Sequence, residues 1–322
     1  MKAMMLWNTG QPLGLAELEL TLPSIGDVYV LLKAAALNKR DYWITQGKYP
    51  GLVFPLILGS DGAGLIDDRE VLIDPGINWG DSNRHFGPGF KIIGMPDNGT
   101  LAEYVKAPEV NLYDKPGHLS WTEAAALPVA GVTAYRAMMT RGKAQPGERM
   151  LVTGIGGGVA TMALLFGVAL GIETWVTSSS DQKIELAIQH GAKGGINYTT
   201  DNWDKNLARL ANGKFDIVID GAGSPSFSKL LSLMDSCGRM VIYGGTGGTI
   251  NDLSPQRIFW KHLDIMGSTM GSPDDFRHMV DLVNEHKIKP IISHTFPLEE
   301  ANEAIALVGR GEQFGKVCIT IP

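Results

Sequence analysis

The sequence predicts an α/β protein in which a region of short strands precedes a parallel sheet built from repeated strand–helix units. Three observations carry that prediction. Between residues 28 and 105, β-branched runs are separated by turns bearing Pro and Gly. From 150 to 244, strand-like apolar runs alternate with helical ones. Glycine is abundant, with 40 in 322 residues, about 12% against a usual ~7%, and tight turns or close backbone approaches must account for the excess. At roughly 150 residues per domain the length suggests two domains, divided here as 1–129 with 271–322, and 130–270.

Composition excludes several classes of function. A 44% hydrophobic and 19% charged chain has apolar material for two cores. The net charge of −6 is spread without runs, so no basic stripe exists for nucleic acid. Two cysteines, Cys237 and Cys318, build neither a disulfide framework nor a four-cysteine zinc site. The first residues lack the long apolar run of a signal peptide. The expectation is a soluble, cytoplasmic protein that meets neither membrane nor nucleic acid.

Taken in order, 28–36 alternates towards β, and 71–73 and 101–105 are further strand candidates. The stretch 74–99 carries Pro75, Gly76, Gly80, Gly87, Pro88, Gly89, Gly94 and Pro96, and reads as an extended surface loop. Helices are expected at 122–127 and 132–140. Then come a strand at 150–153, a helix at 160–170 ended by Gly171, a strand at 174–177 and a helix at 181–190 ended by Gly191. Strands at 216–220 and 239–244 follow, with 226–234 helical between them. Such βα units imply a parallel sheet covered by helices on both faces. The tail has helices at 273–285 and 298–309 and strands near 291 and 316–321; it is too short to stand alone and is expected to pack on the first domain. Residues 151–172 hold no charge, but the glycines in the first third of that run indicate strand, turn and buried helix rather than a bilayer span.

The turn Gly154-Ile155-Gly156-Gly157-Gly158-Val159-Ala160 follows a strand and opens a helix. A pyrophosphate needs bare backbone N–H groups at a helix N-terminus, where the dipole favours negative charge. Gly154-x-x-Gly157-x-x-Ala160 has the required spacing, and Gly156 and Gly158 offer a second frame. At the end of the next strand an acid would select NAD; here stand Ser178 and Ser179, then Asp181 and Lys183. Hydroxyls and an ammonium suit the extra phosphate of NADPH. Ser179-x-x-Gln182 also has the form of a capping box, and Asp181 reaches the ribose if the strand ends later.

Several stretches resemble one family. Ala36-Leu37-Asn38-Lys39-Arg40-Asp41, Gly59-Ser60-Asp61-Gly62-Ala63-Gly64, 99–105, 124–135, the glycine turn and Gly315-Lys316-Val317 are similar to the medium-chain dehydrogenase/reductase superfamily, in its zinc-free quinone oxidoreductase-like branch. The resemblance implies a GroES-like β domain made from both chain ends, a Rossmann domain between them, and a homodimer joined near 265–269. It places Thr133 near the nicotinamide, Tyr198 at the 2′-phosphate, Gly244 and Thr246 by the nicotinamide ribose, Ser268 after the last strand and Lys316 facing the cofactor. Interior packing is the plain alternative for Thr133, and a surface charge for Lys316. Zinc-dependent members hold a cysteine at Asn38, a His-Glu pair at Ser60-Asp61 and a second cysteine near Val129. All are absent here, as are the four cysteines of a structural-zinc lobe in 74–99. The connection after Gly64 is also shortened.

Without a Lewis acid, alcohol oxidation is the harder reaction. Hydride delivery from NADPH to a quinone or an α,β-unsaturated carbonyl is easier, because conjugation spreads the developing charge onto oxygen. Asn38 can donate to that oxygen. Tyr49 resembles in position the tyrosine proposed as proton donor in enoyl reductases, or else it shapes the pocket wall. Asp41 and Asp61 are expected to orient loops. The alternatives are an alcohol or aldehyde dehydrogenase, and a non-catalytic, crystallin-like NADPH-binding protein.

Overall fold

The computed structural model describes residues 1–251 and 253–322. Its first unit comprises Met1–Val132 and Gly271–Pro322. Two strands that periodicity did not reveal open it, β1 (Lys2–Leu6) and β2 (Gly14–Glu17), paired antiparallel. β3 (Asp27–Leu37), α1 (Lys39–Thr45) and β4 (Leu56–Ile57) follow. β5 (Asp61–Ile66) folds straight back into β6 (Arg69–Ile73), with Ile66 opposite Arg69. Asp67 takes φ 50° in this two-residue turn, a left-handed conformation that Asp tolerates. The trimmed connection after Gly64 therefore builds a tight hairpin.

The segment 74–99 is not merely a surface loop. β7 (Gly76–Ile77) and β8 (Lys91–Ile92) pair within it, and Trp79 and Ile93 are buried. The rings of Trp79, Phe86 and Phe90 lie 5.7, 5.2 and 4.7 Å apart pairwise, so aromatic packing closes this lobe. β9 (Tyr104–Pro108) overlaps the end of the expected 101–105 run and extends past it, with Leu101, Ala102, Val105 and Ala107 all in the core. β10 (Leu112–Asp114) pairs with β6. α2 (Trp121–Ala125) is opened by a Ser120–Glu123 capping box, and α3 (Pro128–Tyr135) continues into a π-helical turn over Arg136–Arg141.

The second unit, Thr133–Met270, alternates strand and helix as predicted. β11 (Arg149–Val152), α4 (Gly158–Ala169), β12 (Glu173–Ser178) and α5 (Asp181–Gln189) lead to β13 (Gly194–Asn197) and α6 (Trp203–Leu210). β14 (Phe215–Asp220), α7 (Phe227–Leu233), β15 (Met234–Ile242), α8 (Pro255–Phe259) and β16 (Asp264–Gly267) complete it. The sheet is parallel throughout, in the order β13-β12-β11-β14-β15-β16. The order reverses beside β11, the switch point at which such sheets bind ligands. Among the described residues no helix is long and apolar enough to cross a membrane; the uncharged run at 151–172 is a turn and the 12-residue α4.

The tail returns to the first unit as α9 (Pro273–His286), β17 (Ile292–Pro297), α10 (Ala301–Arg310) and β18 (Lys316–Thr320). β18 pairs antiparallel with β3 and parallel with β17, giving a sheet ordered β10-β6-β5-β3-β18-β17 with β9 also on β3. This is the mixed α/β architecture expected: a GroES-like unit and a Rossmann-like unit.

Candidate active site

Asn38 sits at the corner where β3 ends and α1 begins. Its backbone N–H donates to Asp41 Oδ2 at 2.7 Å, and Gly59 N donates to Asp41 Oδ1 at 3.2 Å. Burial pushes the Asp41 carboxyl above its ordinary range, against the pull of Arg40. β3 lies between β5 and β18, so Asp61 at the start of β5 and Lys316 at the start of β18 both reach Asn38. Lys316 Nζ donates to Asn38 Oδ1 at 2.8 Å and to Asp61 Oδ2 at 2.7 Å, and Asn38 Nδ2 donates to the same Asp61 oxygen at 2.8 Å. Val129 N donates to Asp61 Oδ1 at 2.7 Å. The side chains of Lys316 and Asp61 are 3% and 0% exposed.

These contacts remove one alternative and narrow one expectation. Lys316 is not the surface charge offered as its plain alternative but one half of a buried ion pair. Asn38 is not a free donor: its amide oxygen is taken, and one N–H remains beyond the bond to Asp61. Asp41 and Asp61 do hold backbone in place, yet Asp61 also carries a charge partner.

Next to them, Arg40 Nη1 donates to Ser60 Oγ and, at 3.0 Å, to Ile93 O, to which Ser60 Oγ donates at 2.7 Å. The guanidinium lies 5.3 Å from the Tyr49 ring centroid. Tyr49 is half-buried against the core of this unit. The sequence singled out Tyr49 and missed Arg40, because nothing in the spacing of a seven-residue helix marks one arginine for a role.

In the second unit the glycine turn is built as the sequence requires. Gly154 and Gly156 take φ +64° and +117°, accessible to glycine alone at low cost. Gly157 caps α4, which settles the frame: the N–H groups of Gly158 and Val159 open the helix. A Cβ on Gly157 would meet nothing within 4 Å, so this glycine keeps space open rather than filling a crowded core. Ala160 is buried, as the small third residue should be.

β12 runs one residue further than expected, to Ser178, so Ser180 rather than Ser179 caps α5, accepting from Lys183 N at 3.4 Å. The capping box at Ser179 does not form. Ser178 is buried, its hydroxyl accepting from Ser180 N at 3.2 Å; it points into the turn, not outward as a phosphate ligand would. Ser179 and Tyr198 are exposed and Lys183 is half-buried. Asn197 Nδ2 donates to Asp181 Oδ1 at 3.1 Å. Gly244 and Thr246 follow β15, and Thr246 Oγ1 donates to Gly221 O at 3.3 Å. Ser268 follows β16, its Oγ buried with no partner among the described residues. Thr133 lies in α3 and is buried. The open space at Gly157 and the orphaned Ser268 hydroxyl fit a dinucleotide, whose pyrophosphate Gly158 and Val159 would hold.

A parallel sheet with a glycine turn at its switch point defines a dinucleotide-binding class of protein. Residues 158–285 match the sequence profile of the family described as zinc-binding dehydrogenase, and 24–117 that of the alcohol dehydrogenase GroES-like domain. The chain is 39% identical to the zinc-type alcohol dehydrogenase-like protein YogA of Leptosphaeria maculans, covering 96% of this chain and 95% of that one. A crystal structure of an NAD-dependent alcohol dehydrogenase superposes with TM-score 0.94 at 34% identity, covering both chains in full. The quinone oxidoreductase of Thermus thermophilus, solved also with NADPH, gives 0.83 at 27% identity, again with full coverage of both chains. The chain belongs to the medium-chain dehydrogenase/reductase superfamily and is an oxidoreductase of that type.

The family description implies a zinc ion. The residues present do not fit one. Zinc takes thiolate, imidazole or carboxylate, whereas the corresponding positions hold an amide, a hydroxyl and a carboxylate already bridged by an ammonium. Among the described residues no group of three or more His, Cys, Asp or Glu could hold a metal.

Proposed function

We propose that this protein is an NADPH-dependent reductase delivering hydride to a quinone or an α,β-unsaturated carbonyl, without a metal ion. The observation that carries the reading is the contact of Lys316 with Asn38 and Asp61, two positions where zinc-dependent members hold ligands. Removing an alcohol proton asks for a Lewis acid or a strong base, and this cluster offers neither. A conjugated acceptor asks only for donors near the oxygen on which charge collects.

When bound, the reduced nicotinamide cofactor supplies the hydride. The chain's own residues do the rest. Lys316 and Asp61 fix the Asn38 amide, so that its remaining N–H is held for the substrate oxygen. Tyr49 holds a phenolic proton for the carbon that must be protonated last. Thr133, Gly244, Thr246 and Ser268 position the nicotinamide end. At the adenosine end, Ser179, Lys183 and Tyr198 suit a 2′-phosphate, and Asn197 Nδ2 bonds one oxygen of the neighbouring Asp181 carboxylate.

Loss of NADPH absorbance with a panel of quinones, enones and simple aldehydes tests the reading after exhaustive chelation. Quinone or enone turnover is expected; turnover confined to aldehydes, or none, contradicts it. Tyr49→Phe at the wild-type rate would remove Tyr49 from the mechanism. Ser179→Ala with Lys183→Ala should weaken NADPH far more than NADH, and equal losses would overturn the choice of nucleotide.

A further inference from the structure

Arg40 has no part in the chemistry above, yet it is the least satisfied cation of the cluster. A guanidinium carries five N–H donors. The two on Nη1 are spent on Ser60 Oγ and Ile93 O. Nε is buried with no hydrogen-bond partner among the described residues. Nη2 bonds to none of them either, yet it is not enclosed as Nε is, so it is the open edge of the group. The face of the guanidinium is fixed by the Tyr49 ring, 5.3 Å from its carbon to the centroid. The Asp61 carboxylate beside it is committed to Lys316, and Asp41 to the N–H groups of Asn38 and Gly59. A half-buried cation that feels the Asp41 charge but has no carboxylate bonded to its Nε or Nη2 is costly to keep. Such violations of local satisfaction gather at working sites.

We propose that Arg40 is a further catalytic residue of the reduction, its Nη2 edge receiving the oxygen of the quinone or enone on which negative charge collects. The proposal rests on the reductase reading. For an enone, hydride addition forms a C–H bond at the β-carbon and moves the carbon–carbon π pair towards the carbonyl. The carbonyl π pair goes onto oxygen, opposite the guanidinium. The cofactor is oxidised to NADP⁺, the substrate gains both electrons, and a proton from Tyr49 or water closes the α-carbon. Arg40 keeps its own protons throughout and acts by charge and hydrogen bonding. Nη1 is tethered to Ser60, where zinc-dependent members hold a histidine, so the fixed charge stands beside the position that a metal ligand would take.

Two measurements on Arg40→Leu and Arg40→Lys test this, each variant first shown to melt like wild type. With NADPH and the best quinone or enone, Arg40→Leu should lower kcat by about 10²–10³-fold, as loss of an oxyanion donor does, while KM for NADPH holds. Arg40→Lys should recover part of the loss. A kcat for Arg40→Leu within about threefold of wild type, below the loss expected of such a donor, overturns the proposal. The second measurement titrates 4-nitrophenolate, an oxyanion mimic, into the NADP⁺-saturated proteins and follows its visible spectrum. Affinity about tenfold weaker in Arg40→Leu supports the anion site, and equal affinity overturns it. A wild type inert to every quinone and enone overturns the reductase reading, whereas the nitrophenolate titration still judges Arg40.

Discussion

Burial of ionisable side chains sets the sharpest expectations at the scale of single residues. Asp74, almost wholly buried, accepts from Gly76 N at 2.9 Å, and burial pushes its carboxyl up to about 7, with Asp275 adding to the rise. A carboxyl whose pKa is raised on folding stabilises the protonated fold. That contribution is complete below about pH 4, the ordinary carboxylate range, and is lost as the pH climbs through about 7. Asp74→Asn keeps the acceptor and removes the titration. It should leave the melting temperature unchanged at acidic pH and raise it by about 3–6 °C near pH 8; an equal shift at both pH values would refute the raised pKa. Lys316→Met strands the Asp61 carboxylate in the interior. It should cost about 3–5 kcal/mol in urea unfolding, with part recovered when Asp61→Asn is added, and a single variant as stable as wild type would deny the buried pair its role.

Helices and strands put the glycine turn to a cleaner test. Gly157 has φ −76°, and its Cβ position is empty. Gly157→Ala should therefore leave the melting temperature nearly unchanged while weakening NADPH at least about tenfold. A large loss of stability would show that the space serves packing, not a pyrophosphate. This turn was legible in the sequence because its chemistry is local: a strand, bare backbone and a helix start. β13 was not legible. Gly194 and Gly195 carry no strand-like apolar pattern, and a Cβ on Gly194 would meet the Trp175 ring, so a contact from β12 dictates the glycine. The cap of α5 slipped from Ser179 to Ser180 because three serines in a row leave the strand end ambiguous, and β12 took Ser178. The ion pair of Lys316 with Asp61 spans 255 positions, and no local pattern announces a contact that only strand order creates.

In the molecule as a whole, the parallel sheet ends in β13 on one side and β16 on the other. Near β16, Phe259 and Trp260 are 54% and 76% exposed. Unpaired edge groups and bare aromatics invite association, and we propose a homodimer through this edge. Sedimentation equilibrium should give twice the chain mass, and Trp260→Glu should shift it towards the monomer; a wild-type monomer at micromolar concentration would refute the dimer. In the proposed reaction side chains, not a metal, serve the carbon that accepts the hydride. The most direct measurement is NADPH-driven reduction of benzoquinone by one preparation before and after chelation, with its zinc content determined alongside. The account predicts an unchanged rate and no stoichiometric zinc. A rate that vanishes on chelation and returns with added zinc would contradict it.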